Sequence, residues 1–512
     1  MKNSTLLFLI VFLFGAIHVN GQYVTPNTGQ KYSLETLSNI SSGAVIKENA
    51  TSYLIKSNLQ IAANDSLVID VDSVVVKIDP GITVTVSGYM ETNSLFSEFK
   101  SLNNLQPYNG FLFGNTSKTK LLNAKFSYGG GLKFKTGNVF IDNCEFSYNV
   151  SGINTDAAVE IYFDNLTGPY IIVYPTIKNS KFIKNLNSAF FGELKNFPGF
   201  LRFTNNYVYK NGKSNNAQIE ILDKLSSLLN NPMPLDATKI NDNQIIGDRN
   251  LTSVGGIHID NSGYSALEVN GNVIKDNAYG VFVKLGPPSG KTNYYNNNVV
   301  EDNNTDSSTG EGFRFEGVAS WTTNPNVLYN NKIRNNLIGI YSYYRAYLEL
   351  GGGLNGSLGH NVFFNNIKNG EIIALQIGYK GLMPNAKYNC WREGELSNDS
   401  MAVGVIKSIS NLLSTDVFLA GIIPYDCGLT ALGTKDIEKA NNAFSIYPNP
   451  NRGTFFIKAD YEDTIGIFDT AGRLVLKSDI RKGENKIETK LSTGTYLIEF
   501  MKAKINKKIS VK

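Results

Sequence analysis

Side chains able to move a proton near neutral pH are scarce in this 512-residue chain, which holds three histidines. Beyond the N-terminal leader only His258 and His360 remain. Imidazole titrates close to neutrality, so a general base is sought there first. Within Gly255-Gly256-Ile257-His258-Ile259-Asp260, strand alternation would turn His258 and Asp260 to one side, as a base with its orienting acid. The plainer reading, His258 facing solvent or a loop, is preferred. His360 falls between Gly359 and Asn361 at a turn, where a structural role is preferred more strongly still. Adjacent paired aspartates, an arginine-rich patch, a zinc spacing, a phosphate loop and a nucleophile elbow are all missing.

Two further groups could bind without reacting. Tyr341, Tyr343, Tyr344 and Tyr347 could form an aromatic strip on which sugars stack. Asp70, Asp72 and Asp79 could approach one another and hold calcium, which takes oxygen ligands. Surface solvation explains these aspartates equally well, and no other cofactor is expected. If the chain is an enzyme, its site must be assembled from distant segments. His258 or several carboxylates would then converge with Arg314 or Arg334 in an open groove, whereas a smooth Asn-lined face would mark a binder.

The elements that would position these residues come from a repeat. Between Ala124 and Asn366 a small residue or Asn is followed two residues on by an apolar one, and then by Asn, Asp or Gly. Clear copies begin at Cys144, Ser180, Asn206, Asn243, Asn272, Asn298, Asn331 and Asn361, and with an earlier member at Ala124 the intervals run from 20 to 37 residues. Short alternating segments bounded by Asn or Gly turns are strands, and periods of this size indicate a stacked solenoid. Asn suits such turns because it tolerates left-handed dihedrals, and stacked copies can bond to one another. One segment breaks the pattern. Ala217–Asp236 carries Ile219, Ile221, Leu222, Leu225, Leu228 and Leu229 near helical spacing, which predicts a helix in a projecting loop.

The Asn-x-apolar-x-x-Asn rungs resemble those of right-handed parallel β-helix proteins of the pectate-lyase-like superfamily. Ser66–Gly88, with alternating Val and Ile ending at Pro80-Gly81, looks like first coils, and Asn389-Cys390-Trp391 resembles a closing element. Met401–Leu413 suits a short capping helix. The resemblance implies an all-β fold, a solenoid over residues 51–385, with an N-terminal lead and cap at 22–50 and a C-terminal cap at 386–435. The superfamily includes polysaccharide lyases and hydrolases, but function must be argued from the site and not the fold.

Both ends of the chain carry an address. Met1-Lys2, the apolar run Leu6–Phe14 and small Gly21 lay out a cleavable secretory signal over residues 1–21. The run is too short to span a bilayer, and no later segment is apolar enough. After a polar linker at 436–443, residues 444–512 read as a small β-sandwich. Within it, Tyr447-Pro448-Asn449-Pro450 leads to Gly453, then Gly472-Arg473, then Gly494-Thr495-Tyr496 and a lysine-rich end. That order resembles the type A sorting domain of the type IX secretion system of Bacteroidota. The resemblance implies export through the periplasm, recognition by that secretion machinery, and release or attachment at the outer surface, often with loss of the tail. An oxidising compartment would allow Cys390 and Cys427 to pair. Cys144 reads as a core residue. A formal charge of +4 with 18% charged residues gives no basic footprint for nucleic acid. Two readings stay open: a non-catalytic surface protein whose solenoid face binds a polysaccharide or another surface, and a polysaccharide lyase or glycoside hydrolase of the kind the resemblance implies.

Overall fold

The computed structural model describes residues 21–162, 173–195, 200–213, 216–224, 236–261, 265–320, 322–378, 384–395, 397–408, 427, 444–451, 453–469, 473–489, 491–501 and 505–512. The predicted leader therefore lies outside the described residues, Gly21 apart. The chain divides into two compact units, residues 1–427 and 428–512. No described helix is long and apolar enough to cross a membrane.

The first unit is a parallel β-helix with the right-handed connections that parallel strands prefer. Each coil contributes one strand to each of three long sheets, as Val139–Asp142 (sheet I), Glu145–Ser147 (sheet II) and Ala157–Tyr162 (sheet III) do in succession. Among the described residues sheets I and II have thirteen strands and sheet III fourteen. Registered pairing carries like residues onto like. Phe99, Phe126, Phe146 and Phe182 follow one another in sheet II, their rings stacked 4.6, 5.6 and 5.0 Å apart. All four are buried. Each such ring removed would cost about 3–5 kcal/mol.

The turns between sheets divide their work between two consecutive residues. The first takes the left-handed backbone, as Asn205 (φ 55°), Asn297 (φ 59°), Asn330 (φ 57°) and His360 (φ 59°) do between sheets I and II. The second points inward and builds a ladder. Asn206, Asn243, Asn272, Asn298, Asn331 and Asn361 each donate Nδ2 to the Oδ1 of the next rung at 2.8–3.1 Å, and the row ends on Asn389. A second ladder between sheets II and III runs through Asn149, Asn185 and Asn211, then Asn277, Asn303, Asn336 and Asn366. Asp248 does not fill the missing rung, although the repeat puts it there. Gln218 reaches in instead, accepting from Asn211 and donating to Asn277.

Both ends are closed. Leu34–Ile40 forms a helix whose first turn is capped by Ser33, and it packs Leu34 and Leu37 onto the first coils. At the far end Trp391 stacks on Phe363 at 5.3 Å. The helix Asp399–Val405, capped by Asn398, covers the last rung, and Cys390 is paired with Cys427. Cys144 is buried and free. The predicted helix at Ala217–Asp236 is corrected over its first part. Ala217–Lys224 is a strand of sheet III, paired on both sides. Ile219-Glu220-Ile221 also alternates with period two, and the neighbouring coils offer backbone partners that an isolated helix would forgo. Residues 225–235 lie outside the described residues.

The second unit is a β-sandwich of two antiparallel sheets, with three and four strands. Phe444, Phe455, Ile465, Ile467, Ile498, Phe500 and Ile509 fill its core. Asn449 ties the Pro-rich turn to the last strand, donating to Lys508 O and accepting from Ser510 N. Gly453 takes φ 86° in the following turn. Tyr496 is buried with its hydroxyl on Ser492 O, whereas Arg473 is exposed and pairs with Asp469. Gly494 begins the strand that holds Tyr496. Gly472 lies outside the described residues.

Candidate functional site

Sheet III turns one face inward to the core, and its other face carries the predicted site residues. Register aligns Glu220, His258, Phe282, Arg314 and Tyr341 on consecutive coils. A parallel row runs Leu222, Asp260, Lys284, Glu316 and Tyr343. His258 and Asp260 do share a face, but Asp260 is not the acid nearest the ring. Two residues along a strand span roughly 6.6 Å, whereas adjacent strands lie about 4.8 Å apart. Glu220, one coil back, therefore stands closer, with Oε1 3.5 Å from His258 Nδ1. On its other side His258 stacks on Phe282 at 5.0 Å.

Arg314 continues the stack. Its guanidinium lies 4.7 Å from the Phe282 ring centre and 5.7 Å from that of Tyr341, a cation on two electron-rich faces. Glu316 holds it at 3.4 Å and Glu311 stands 3.9 Å away. Burial pushes the Glu311 carboxyl above its ordinary pKa, against the pull of Arg314. Burial also pushes up the phenol of Tyr279, which meets Phe282 edge-on. His258 Nε2, Arg314 Nε and Glu311 Oε2 are buried without a hydrogen-bond partner among the described residues. Such atoms cost free energy and are uncommon in folded proteins. His258 Nε2 is covered, whereas a working base must reach its substrate.

Tyr341 and Tyr343 point outward from the strand Ile338–Tyr343. Tyr343 and Tyr344 meet with ring centres 4.0 Å apart. A hydrogen bond to Tyr344, then burial, pushes the Tyr343 phenol up to about 12. Tyr347 leaves the strip. The chain has by then turned towards sheet I, and its hydroxyl donates to Glu349 at 2.9 Å. Arg334 is also elsewhere, on sheet II, where it pairs with Glu393. The strand Val74–Ile78 separates Asp72 from Asp79, Asp72 accepts from Leu95 N, and no metal-binding cluster occurs among the described residues.

Glu220, Phe282 and Glu311 were not legible as site residues, because coils of unequal length hide which residues become neighbours. The repeat copies themselves were the usable signal. Aligning the strands that follow each copy would have stacked His258, Phe282, Arg314 and Tyr341.

Comparison with known proteins agrees with this division. Residues 445–512 match the family described as a secretion system C-terminal sorting domain. Residues 229–380 match a family described as a protein of unknown function, DUF1565, a span that contains His258, Phe282, Arg314 and Tyr341. No curated protein matches. Among solved structures, a substituted form of the periplasmic alginate epimerase AlgG is 13% identical, with 74% of this chain and 82% of that chain covered and a TM-score of 0.42. The unsubstituted enzyme gives 12%, the same coverage and 0.39. By its own strand pairing the first unit is a β-helix, and the chain carries a type IX secretion tail, an address for secretion or the cell surface.

Proposed function

We propose that this exported protein binds a polysaccharide without cleaving it, along the outer face of sheet III. The reading is carried by the row Phe282–Arg314–Tyr341, in which ring faces and one guanidinium repeat at the spacing of the coils. A sugar ring offers an apolar C–H face to an aromatic ring and hydroxyls to charged neighbours, so alternating aromatic and charged residues suit a chain of sugars. The covered Nε2 of His258 favours binding over proton transfer. The test is to screen the purified protein against a panel of polysaccharides for retention and for new unsaturated or reducing ends. Retention without new ends, lost in Phe282→Ala and Tyr341→Ala, is the expected result.

A second reading is a polysaccharide lyase or glycoside hydrolase. Glu220, His258 and Arg314 favour it, because an oriented base stands two coils from a cation able to hold an acidic sugar. It predicts new chain ends that vanish in His258→Ala. Ends that persist in that variant would remove His258 from any catalytic role.

A further inference from the structure

Sheet I bears a different surface, about 360 Å³ in volume, on the early coils. It is lined by Tyr89, Lys118, Asn138, Phe140 and Tyr174. Register explains how they meet. Lys118 lies beside Tyr89. Thr119 pairs with Val139, which brings Asn138 beside Lys118. Phe140 pairs with Thr176, and Tyr174 precedes Thr176 by the same two residues by which Asn138 precedes Phe140. Tyr89 and Tyr174 therefore end one row, three coils or about 14 Å apart, with a cation and an amide between them and Phe140 beside them.

The two ends are held in place. The Tyr174 ring is braced from the next coil by Phe200 at 6.0 Å and by the Arg202 guanidinium at 5.1 Å. Tyr89 is flanked by Glu91, two residues along the same face of its strand. The charges decide the occupant. On the same sheet Lys120, Lys178, Arg202 and Lys239 each pair with a carboxylate, Glu91, Asp142, Asp236 and Glu268 respectively. Lys118 is exposed and has no ion-pair partner among the described residues. An exposed ammonium between two aromatic platforms complements an anionic group on a sugar chain.

We infer that this groove is a second carbohydrate site, which binds a short acidic oligosaccharide with sugars packed on Tyr89 and Tyr174 and an anionic substituent at Lys118. The inference deepens the polysaccharide-binding reading but uses no residue of sheet III. It is tested with the full chain by calorimetric titration against three probes, an oligogalacturonate, a sulfated galactan oligosaccharide and a neutral glucan oligosaccharide. One acidic probe is expected to bind, carboxylate and sulfate being told apart by which of the two does so. Tyr89→Ala and Tyr174→Ala should each weaken it at least about tenfold, or ~1.4 kcal/mol. Lys118→Glu, an exposed change that leaves the fold intact, should abolish it, and Phe282→Ala should leave it unchanged. The groove is overturned if neither acidic probe binds, if the neutral probe binds as well as the acidic ones, or if Lys118→Glu binds normally. Loss of binding in Phe282→Ala with wild-type binding in the groove variants would also overturn it, while leaving the sheet III reading intact.

Discussion

The Asn ladders and the outer row of sheet III are built by the same stacking of coils, yet they end in opposite states. In the ladders each buried amide is used twice or more. Asn298 donates to Val269 O and Asn331 Oδ1 and accepts from Asn272 N and Nδ2. Along sheet III the polar atoms of His258, Arg314 and Glu311 stop short of full pairing. Stacking alone therefore does not decide between stability and recognition. Satisfied amides lock the coils together, whereas the part-exposed rings of Phe282 and Tyr341 leave apolar faces for a ligand to cover.

The comparison can be broken most directly in a ladder. Asn298→Ala strands the backbone and side-chain donors of Asn272 and the carbonyl of Val269, and should cost about 3 kcal/mol or more. The check is the denaturation midpoint followed by circular dichroism. A loss no greater than that of Phe282→Ala would erase the distinction between the two regions.

A smaller effect is expected at Glu311. Its folded pKa is raised by burial, so its stabilising contribution is complete below the ordinary carboxylate range and is lost as pH rises through the folded value. Glu311→Gln should therefore melt higher than the parent protein at neutral pH, with the gap closing as pH falls below about 4. A gap that widens on acidification would show that Glu311 is stabilised as an anion.

Smallest of all should be the stability change in Tyr341→Ala, at about 1 kcal/mol or less, because the ring is only partly buried. The same variant should lose most of its polysaccharide retention. Comparing its melting temperature and its binding on one preparation sharpens the contrast, since a ladder residue would lose stability first.

Much of this was legible beforehand. The Asn-x-apolar-x-x-Asn copies announced strands, turns and coils, and Trp391 announced the closing rung. The order Tyr447-Pro448-Asn449-Pro450, Gly453, Gly494 and Tyr496 announced the second unit. The face shared by His258 and Asp260 was also legible, because alternation along one strand is local. Illegible were Glu220 as the acid beside His258, Gln218 as the substitute rung for Asp248, and the departure of Tyr347 from its strip. Each depends on what stands one coil away.

Local chemistry thus determined the kind of structure and its export address, since turn propensity, strand alternation and the tail's ordered motifs act over a few residues. Only the tertiary structure decided which side chains became neighbours. Loops of unequal length separate residues that pairing between coils brings to about 4.8 Å. The candidate sheet III site and the sheet I groove both exist only across coils, where backbone register places their members side by side.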